Sequence, residues 1–280
     1  MSSRIVALLT DFGHRDPFVG TMKGVMLGIN PDLQLIDISH EITPQHIREA
    51  AIVLSAAYPY FPPRTIFLVV VDPGVGGTRR PIVVETAGHL FVAPDNGVLG
   101  LALDRTEVRR VIHATETRYF RQPISRTFHG RDVFAPLAAW LSRGVEGHEM
   151  GPTIDDYQRL ELPRPRVQDG GRLEGEVIYQ DRFGNLITNI SEAWVTELWG
   201  LPPWQGIEAH IEASVIRGLD SHYAQRSPQE LGLIISSWGL FEVFANGGNA
   251  SRATGAVEGS PIRIWRGKTL EERDSRVGEA

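Results

Sequence analysis

The chain has 280 residues, a formal net charge of −6 and no cysteine. A chain without cysteine has no disulfides, thiolate metal sites or cysteine nucleophile, and a net negative charge gives no indication of nucleic acid or an anionic membrane as a partner. No apolar stretch reaches the roughly 20 residues of a membrane span, and the N-terminus has no signal-peptide pattern, so we expect a cytoplasmic protein.

The first half of the chain alternates apolar runs with helical patterns. Apolar runs without polar alternation are typical of strands buried on both faces, and their alternation with helices indicates a mostly parallel sheet. The predicted strands are Arg4–Thr10, Leu33–Ile38, Ile66–Val71, Ile82–Glu85 and Leu90–Ala93. The predicted helices are Phe18–Leu27, a segment capped by Thr43 and Pro44 that ends near Ala57, a short one from Val98, and Val133–Leu141.

The pattern changes at Leu162–Gly171, a segment that is rich in proline and glycine and has no periodicity, as is typical of linkers. Short strand-like runs separated by turns follow, with one helix near Glu192–Leu198, and they indicate a small β-barrel or sandwich. We therefore predict an α/β N-terminal domain with a mostly parallel sheet at residues 1–163. A small C-terminal β-barrel is predicted at residues 172–280.

The apolar run Phe67–Val71 ends at Asp72, and a glycine-rich turn and Arg79 follow it. A carboxylate at the carboxyl end of a buried strand lies where open α/β sheets bind ligands, and glycines allow the backbone to approach a ligand closely. We expect Arg79 to pair with Asp72. A plain turn with a surface ion pair would give the same local pattern.

Three further clusters of polar residues are candidates for a functional site. Asp11 and Asp16 follow the first predicted strand, and His129 precedes a glycine at the start of a predicted helix. The third cluster, in the second half of the chain, comprises Asp181–Asn185, Ser236–Ser237 and Asn246–Asn249. Each has a structural alternative, such as a helix cap, a turn or a core aromatic residue.

Several familiar kinds of site are missing from the sequence. It contains no HxH or HxxxH pair, no P-loop, no GxGxxG motif before a helix and no GxSxG serine elbow. Asp11, Asp72 and His129 could still form a mixed oxygen and nitrogen metal site. Metal-dependent hydrolysis therefore stays an alternative, although we predict no metal.

Taken together, the motifs resemble those of the S-adenosyl-L-methionine (SAM) hydrolases that form adenosine. This family is also called the SAM hydroxide adenosyltransferases, and the bacterial fluorinase and chlorinase are its relatives. The resemblance extends from Asp11 to Asn249. It is carried by six motifs in the same order: TDFG with Asp16, VVDPGVG with Arg79, APDNG, FHGRDVFAP, D-x-FGN-x-x-TN and NGGNA.

The resemblance implies hydrolysis of SAM to adenosine and L-methionine, without a cofactor, by in-line attack of water or hydroxide at C5′. It also implies a homotrimer whose active sites lie between the N-terminal domain of one subunit and the C-terminal domain of the next. The residues that would handle the water are Asp72, Arg79 and His129. The residues that would bind substrate are Asp11 at the ribose, Asp16 and Asp181 at the methionine part, Phe183 and Asn185 at the adenine, and Ser237 at the methionine carboxylate.

The sequence departs from the halogenases at four positions. They carry an aromatic hydroxyl in place of Asp72 and a small hydroxyl residue in place of Gly130, which argues against a halide pocket here. Trp238 replaces an arginine beside the carboxylate-binding serine, and Gln45 replaces a tryptophan over the ribose. A non-catalytic adenosine- or SAM-binding module and a SAM-dependent halogenase are the alternative functions.

The implied reaction makes a specific demand on the site. A sulfonium leaves without protonation, so the site must hold the ribose and present an oxygen nucleophile behind C5′. Free water has a pKa of about 15.7 and an aspartic acid one of about 3.9, a gap too large for the proton to be removed beforehand. Either Asp72 takes the proton as the C–O bond forms, which we favour, or Arg79 and a protonated His129 stabilise hydroxide.

Overall fold

The computed structural model describes residues 5–202 and 204–266. Arg4, with which the first predicted strand begins, and the predicted C-terminal domain beyond residue 266 lie outside these described residues. The chain divides into two compact units, Met1–Glu161 and Leu162–Ala280, which we call the N-terminal and C-terminal units. Within the described ranges, no helix combines the length and the apolar character that crossing a membrane requires.

The N-terminal unit is built on a seven-stranded sheet. Its strands are β1 (Ile5–Thr10), β2 (Gln34–Ser39), β3 (Ile66–Val70), β4 (Pro81–Thr86), β5 (Leu90–Pro94), β6 (Val108–His113) and β7 (Thr153–Ile154). They lie in the order β2-β1-β3-β5-β4-β6-β7. The helices are α1 (Phe18–Ile29), α2 (Ile47–Ala57), α3 (Gly100–Leu103) and α4 (Ala135–Ser142), and a π-helical turn, Gly130–Phe134, leads directly into α4.

The expected α/β sheet is present, but it is mixed rather than mostly parallel. β1 pairs in parallel with β2 and β3, and β3 with β5, whereas β4, β6 and β7 form antiparallel pairs. The connection between β4 and β5 explains the difference, since it consists only of Ala87, Gly88 and His89. So short a segment closes a hairpin, because a parallel pair needs a crossover of a dozen or more residues.

β3 is buried on both faces, which accounts for its continuous apolar sequence. Ile66, Leu68 and Val70 belong to the apolar layer that contains residues of α1 and α4. Phe67 and Val69 belong to the opposite layer, which contains residues of α2 and α3. The strand is therefore fixed from both sides, and the residues that follow it begin at a defined place on the sheet edge.

Several elements of the N-terminal unit begin where the sequence did not predict. Helix α2 is capped by His46, whose Nδ1 accepts a hydrogen bond from the Glu49 N–H, and not by Thr43 and Pro44. Gln45 has a φ of +67°, a left-handed conformation that a right-handed helix cannot include. Strands β6 and β7 were not predicted, because the charged residues of β6 break its apolar pattern.

The C-terminal unit forms a nearly closed antiparallel barrel, and the predicted small β-barrel is present in this form. Its strands are β8 (Arg166–Gln168), β9 (Arg172–Gln180), β10 (Leu186–Ser191), β11 (Ile207–Ile211), β12 (Ser214–Arg217), β13 (Leu231–Ile235), β14 (Leu240–Ala245) and β15 (Pro261–Arg266). The pairing runs β12-β11-β15-β9-β10-β14-β13, with β8 against β9, and a bridge between Asp220 and Ile234 joins the two ends. Helices α5 (Glu192–Trp199) and α6 (Ala250–Thr254) follow β10 and β14.

Candidate functional site

The carboxyl ends of β1 and β3 bring Asp11 and Asp72 to the same edge of the sheet. The two strands are parallel neighbours, and Thr10 is in register with Val70. Asp11 follows Thr10 directly, and Asp72 follows β3 after Val71. Because parallel strands end at one edge, both carboxylates are presented to the same space.

Arg79 joins Asp72 to His129. Its Nε lies 2.9 Å from Oδ1 and 3.0 Å from Oδ2 of Asp72, and its Nη2 donates to Oδ2 at 2.5 Å. The same Nη2 also donates to Nδ1 of His129 at 2.7 Å. Both side chains of the ion pair are largely buried, with exposed fractions of 10% for Arg79 and 6% for Asp72. The predicted pairing of Arg79 with Asp72 is therefore present, and His129 is added to it.

The contact with Arg79 also fixes the protonation of His129. A guanidinium has no acceptor, so Nδ1 of His129 must accept and the neutral ring carries its proton on Nε2. Burial lowers the pKa of His129 and the neighbouring Arg79 lowers it further, while Asp72 and Asp132 act in the opposite direction. The neutral form is favoured, which argues against the alternative in which a protonated His129 stabilises hydroxide.

Asp11 holds the loop that precedes α2. Its Oδ2 accepts a hydrogen bond of 2.7 Å from the backbone N–H of Gln45, which helps to fix the left-handed conformation of that residue. Burial raises the pKa of Asp11; the N–H of Gln45 opposes this, and the negative charge of Asp72 adds to it. The effect of Asp72 on this pKa agrees with the placement of both carboxylates at one sheet edge.

These groups surround a cavity of about 320 Å³. Asp11, Gln45, Asp72 and His129 line it. Such a volume lies at the lower end of the range for small-molecule pockets. The cavity therefore combines carboxylates with a neutral imidazole in a space that can admit part of a small organic substrate.

Aromatic side chains form one wall of the cavity and were not predicted from the sequence. The rings of Phe12, Phe18 and Phe128 contact one another, with centroids 5.2 to 5.9 Å apart, and all three line the cavity. A Cβ on Gly130 would lie 3.2 Å from Phe128 and 3.3 Å from Phe12. The wall thus occupies the space that a side chain at position 130 would need.

Asp16, by contrast, lies exposed in the loop before α1. It is not among the described residues that line the cavity. The N-terminal unit therefore brings together Asp11, Asp72, Arg79 and His129, but not Asp16.

In the C-terminal unit, Asp181 organises the turn between β9 and β10. Its Oδ1 accepts from the backbone N–H groups of Phe183 and Asn185, each at 2.9 Å. Its Oδ2 accepts from the Asn185 side-chain amide at 3.0 Å. A carboxylate that binds N–H groups two residues ahead makes an Asx-turn, so Asp181 and Asn185 have structural partners within the turn itself.

Phe183 and Ser237 are both exposed in turns of the barrel. Phe183 is 74% exposed, so it is not part of the barrel core. Ser237 lies between β13 and β14, at the end of β14 that pairs with Ser191, whereas the Asp181 turn adjoins the other end of that ladder. The neighbouring Trp238 reaches toward the Asp181 turn, because its ring packs on Tyr179 at a centroid distance of 5.4 Å.

Comparison with family models identifies the chain. Residues 6–151 match the N-terminal domain of the SAM hydroxide adenosyltransferases, and residues 175–263 match the C-terminal domain of the same family. The chain belongs to the SAM hydroxide adenosyltransferase family. The resemblance inferred from the six motifs is confirmed.

Relatives within and near this family match over most of the chain. The chain is 36% identical to an (R)-S-adenosyl-L-methionine hydrolase of Methanocaldococcus jannaschii, over 89% of this chain and 90% of that one. A crystal structure of a conserved protein from Thermotoga maritima has a TM-score of 0.87 at 36% identity and covers 93% of this chain and 100% of that one. A fluorinase of an Actinoplanes species is more distant, at 27% identity over 66% of this chain and 71% of its own.

Two features of this family member could not be read from its motifs. The aromatic wall joins Phe12 and Phe18, which lie close together in the chain, to the distant Phe128, so only the fold completes it. The bond between Arg79 and His129 likewise joins residues 50 positions apart. As for a metal, no group of three or more His, Asp or Glu side chains that could hold an ion occurs among residues 5–202 and 204–266.

Proposed function

We propose that the protein hydrolyses SAM to adenosine and L-methionine. The observation that carries the proposal is the chain of contacts from Asp72 through Arg79 to His129 beside a cavity that also contains Asp11. A relative that covers nearly the whole chain is named (R)-S-adenosyl-L-methionine hydrolase. The reaction breaks the bond between C5′ and the sulfonium sulfur and forms a bond from C5′ to a water oxygen.

In the proposed mechanism, Asp72 takes the proton of the attacking water as the C–O bond forms. Oδ2 of Asp72 receives hydrogen bonds from both Nε and Nη2 of Arg79. Among the described residues, Oδ1 receives only one, of 2.9 Å, from the Nε–H that it shares with Oδ2. Since a carboxylate oxygen has two lone pairs, Oδ1 retains capacity for a water. Arg79 orients the carboxylate, and neutral His129 keeps Arg79 in place.

Leaving-group chemistry explains why this site needs no acid. Methionine departs as a neutral thioether from a positively charged sulfur, so no proton has to be delivered to it. The site's contribution is then the positioning of water and C5′, which can supply about 7–11 kcal/mol. General-base assistance by Asp72 adds a factor of about 10² to 10⁴.

For substrate binding we propose the following assignments. Asp11 accepts from the ribose hydroxyls through Oδ1, since Oδ2 is engaged by the Gln45 N–H. Asp16 and Asp181 hold the methionine part, Phe183 and Asn185 the adenine, and Ser237 the methionine carboxylate. Because Asp16 lies outside the cavity lining and the other four belong to the C-terminal unit, we further propose a homotrimer whose sites form between neighbouring subunits.

We also propose that the protein is cytoplasmic, that its domains are residues 1–163 and 172–280, and that SAM is a substrate with no added cofactor.

The decisive experiment is incubation of chelator-treated protein with SAM in oxygen-18 water. The proposal predicts adenosine that carries the label, unlabelled L-methionine and a rate that chelator does not change. Absence of adenosine while SAM stays bound would instead show a binding module. Halide-dependent 5′-halo-5′-deoxyadenosine would show a halogenase, and loss of turnover with chelator would show metal-dependent hydrolysis.

A further inference from the structure

His40 is a fully buried histidine at the carboxyl end of β2, next to the loop that carries Asp11. Its exposed fraction is 0%, as is that of Thr10, the last residue of β1. Nδ1 of His40 lies 2.8 Å from Oγ1 of Thr10. Buried polar groups are held by hydrogen bonds, and here the bond joins the ends of two adjacent strands.

Two more bonds tie the same pair of residues to the loop after β1. The Phe12 N–H donates to Oγ1 of Thr10 at 3.3 Å, and the Gly13 N–H donates to the backbone carbonyl of His40 at 2.7 Å. Asp11 lies between these anchored positions. The loop of residues 10–13 is therefore fastened on both sides of the carboxylate that faces the cavity.

The charged groups around His40 indicate which of its ring nitrogens carries the proton. Nε2 lies 2.9 Å from Oδ1 of Asp37, although its N–H is not aligned with that oxygen. Lys23 donates to Oδ2 of Asp37 at 2.6 Å, and the ring of His14 packs edge-on against His40 at 5.2 Å.

Burial lowers the pKa of His40, Asp37 opposes this, and His14 and Lys23 lower it further. A neutral ring beside a carboxylate keeps its proton on Nε2. Nδ1 then accepts, so the Thr10 hydroxyl donates to His40 and is left free to accept from the Phe12 N–H.

We infer that Thr10 and His40 are positioning residues for Asp11. They touch no reacting atom; they hold the backbone on both sides of Asp11, so that its carboxylate can accept from the Gln45 N–H and still present Oδ1 to two ribose hydroxyls. This inference rests on the proposed function, because it takes the ribose of SAM or adenosine as the group that Asp11 binds. Asp37, which lies beside Nε2 of His40, and Lys23, which donates to Asp37, support these contacts from the protein surface.

The test compares inhibition by adenosine and by 2′-deoxyadenosine, which differ by one ribose hydroxyl. Wild-type enzyme should prefer adenosine by about tenfold or more, the effect of a hydrogen bond to a charged group. Thr10→Val removes the hydroxyl and keeps the shape, and it should reduce that preference to about threefold or less. It should also raise KM for SAM more than it lowers kcat, because it acts on binding. Thr10→Ser, which restores a hydroxyl, should recover the wild-type preference.

Thr65→Val is the matched control. Thr65 is equally buried, with an exposed fraction of 1%, and its hydroxyl donates to the Pro62 carbonyl at 2.8 Å, away from the cavity. This variant should keep the full preference for adenosine. If Thr10→Val does not fold, Asp37→Asn takes its place and should also weaken the preference.

The outcomes separate this inference from the proposed function. An unchanged preference in folded Thr10→Val, or an equal loss in Thr65→Val, would overturn the positioning role. Asp11→Asn should lower the preference in the same way and should add little to Thr10→Val in the double variant, whereas additive losses would contradict action through Asp11. A wild-type enzyme that binds adenosine with a preference for the ribose hydroxyl but does not hydrolyse SAM would refute the proposed function alone.

Discussion

Asp72 and Asp181 both sit next to a glycine-containing turn, yet their carboxylates are satisfied in opposite ways. Asp72 receives its hydrogen bonds from the side chain of Arg79, which is itself tied to His129. Asp181 receives its bonds from N–H groups of its own turn, within four residues. The first carboxylate is held by a chain of functional groups, and the second by the local backbone.

This difference separates a carboxylate that is available for chemistry from one that maintains the shape of a turn. A carboxylate held by one guanidinium keeps lone pairs for another partner, and the partner available at Asp72 is whatever enters the cavity. A carboxylate whose two oxygens serve a turn defines the turn, and removing it leaves backbone N–H groups without acceptors. We therefore expect changes at Asp72 to lower kcat, and changes at Asp181 to affect stability and the binding of SAM rather than kcat.

The largest effect we expect is that of Asp72→Asn on turnover. The amide keeps the size of the side chain but cannot take the proton of water, so kcat should fall by about 10² to 10⁴. The dissociation constant for SAM, measured by calorimetry, should stay within a few fold. Turnover equal to that of wild type would refute the general-base role.

Asp95→Asn provides the control for that variant. Asp95 also follows a strand of the parallel set, is buried and pairs with Arg80, with Oδ2 at 2.9 Å from Nε and 2.6 Å from Nη2. It lies outside the described cavity lining. Its loss should leave kcat unchanged, and a drop as large as that of Asp72→Asn would mean that any buried ion pair at this edge is needed for activity.

The next effect concerns stability. Asp181→Ala deprives three donors of their acceptor and should lower the free energy of unfolding by about 2–4 kcal/mol, measured by denaturant titration. Asp181→Asn keeps an acceptor for the backbone N–H groups and should cost about 1 kcal/mol or less. Both variants should raise KM for SAM, since Asp181 is proposed to hold the methionine part. A fall in kcat with stability unchanged would instead place Asp181 in the chemical step, and the contrast with Asp72 would fail.

Whether a contact of the candidate site could be predicted from the sequence depended on how far apart its two residues lie along the chain. The Asp72–Arg79 pair follows from a strand end and a short return, and Asp11 follows from the same rule applied to β1. The bond from Arg79 to His129 did not follow, because it depends on how the segment before α4 folds back onto the sheet. Likewise, the short hairpin that makes the sheet mixed is visible in the spacing of the two runs, but the alternation of strands and helices dominated the prediction.

Sequence and structure relate differently in the C-terminal unit. Six of the eight strands and the DRFGN turn correspond to apolar runs and to glycine in the sequence, whereas the short strands β8 and β12 were not predicted. The hydrogen bonds of Asp181 are local, and the pattern of Asp followed by Gly-Asn is itself typical of an Asx-turn, so this structural role could have been predicted. For Asp16, Phe183 and Ser237, the resemblance supplied roles that remain predictions.

Two glycines, Gly184 in the Asp181 turn and Gly130 beside the aromatic wall, extend the comparison to smaller changes in the free energy of unfolding. Gly184 has a φ of +86° and a Cβ there would overlap the Asn249 side chain, so Gly184→Ala should lower the free energy of unfolding by about 1–3 kcal/mol. A Cβ on Gly130 would meet Met22 Sδ at 3.1 Å and Phe128 at 3.2 Å, where side chains can yield. Gly130→Ala should therefore cost about 1 kcal/mol or less, measured by thermal unfolding. Equal losses in both variants would contradict a rigid turn in one region and an adaptable wall in the other.

The effect that we expect to be smallest near pH 7 is a fall in kcat/KM as the pH is lowered. His129 has its pKa lowered from 6.5 by burial and by Arg79, so it is neutral at pH 7 and gains a proton only as the pH falls below 6.5. The proton on Nδ1 removes the acceptor for Arg79, so kcat/KM should fall, approaching about tenfold per pH unit below that lowered value. Stability changes in the same direction, since the unfolded chain binds this proton more readily. The measurement is a pH profile of wild type and His129→Asn: the variant should have a lower plateau and lose this acid limb, and an identical limb in both would assign the titration to another group.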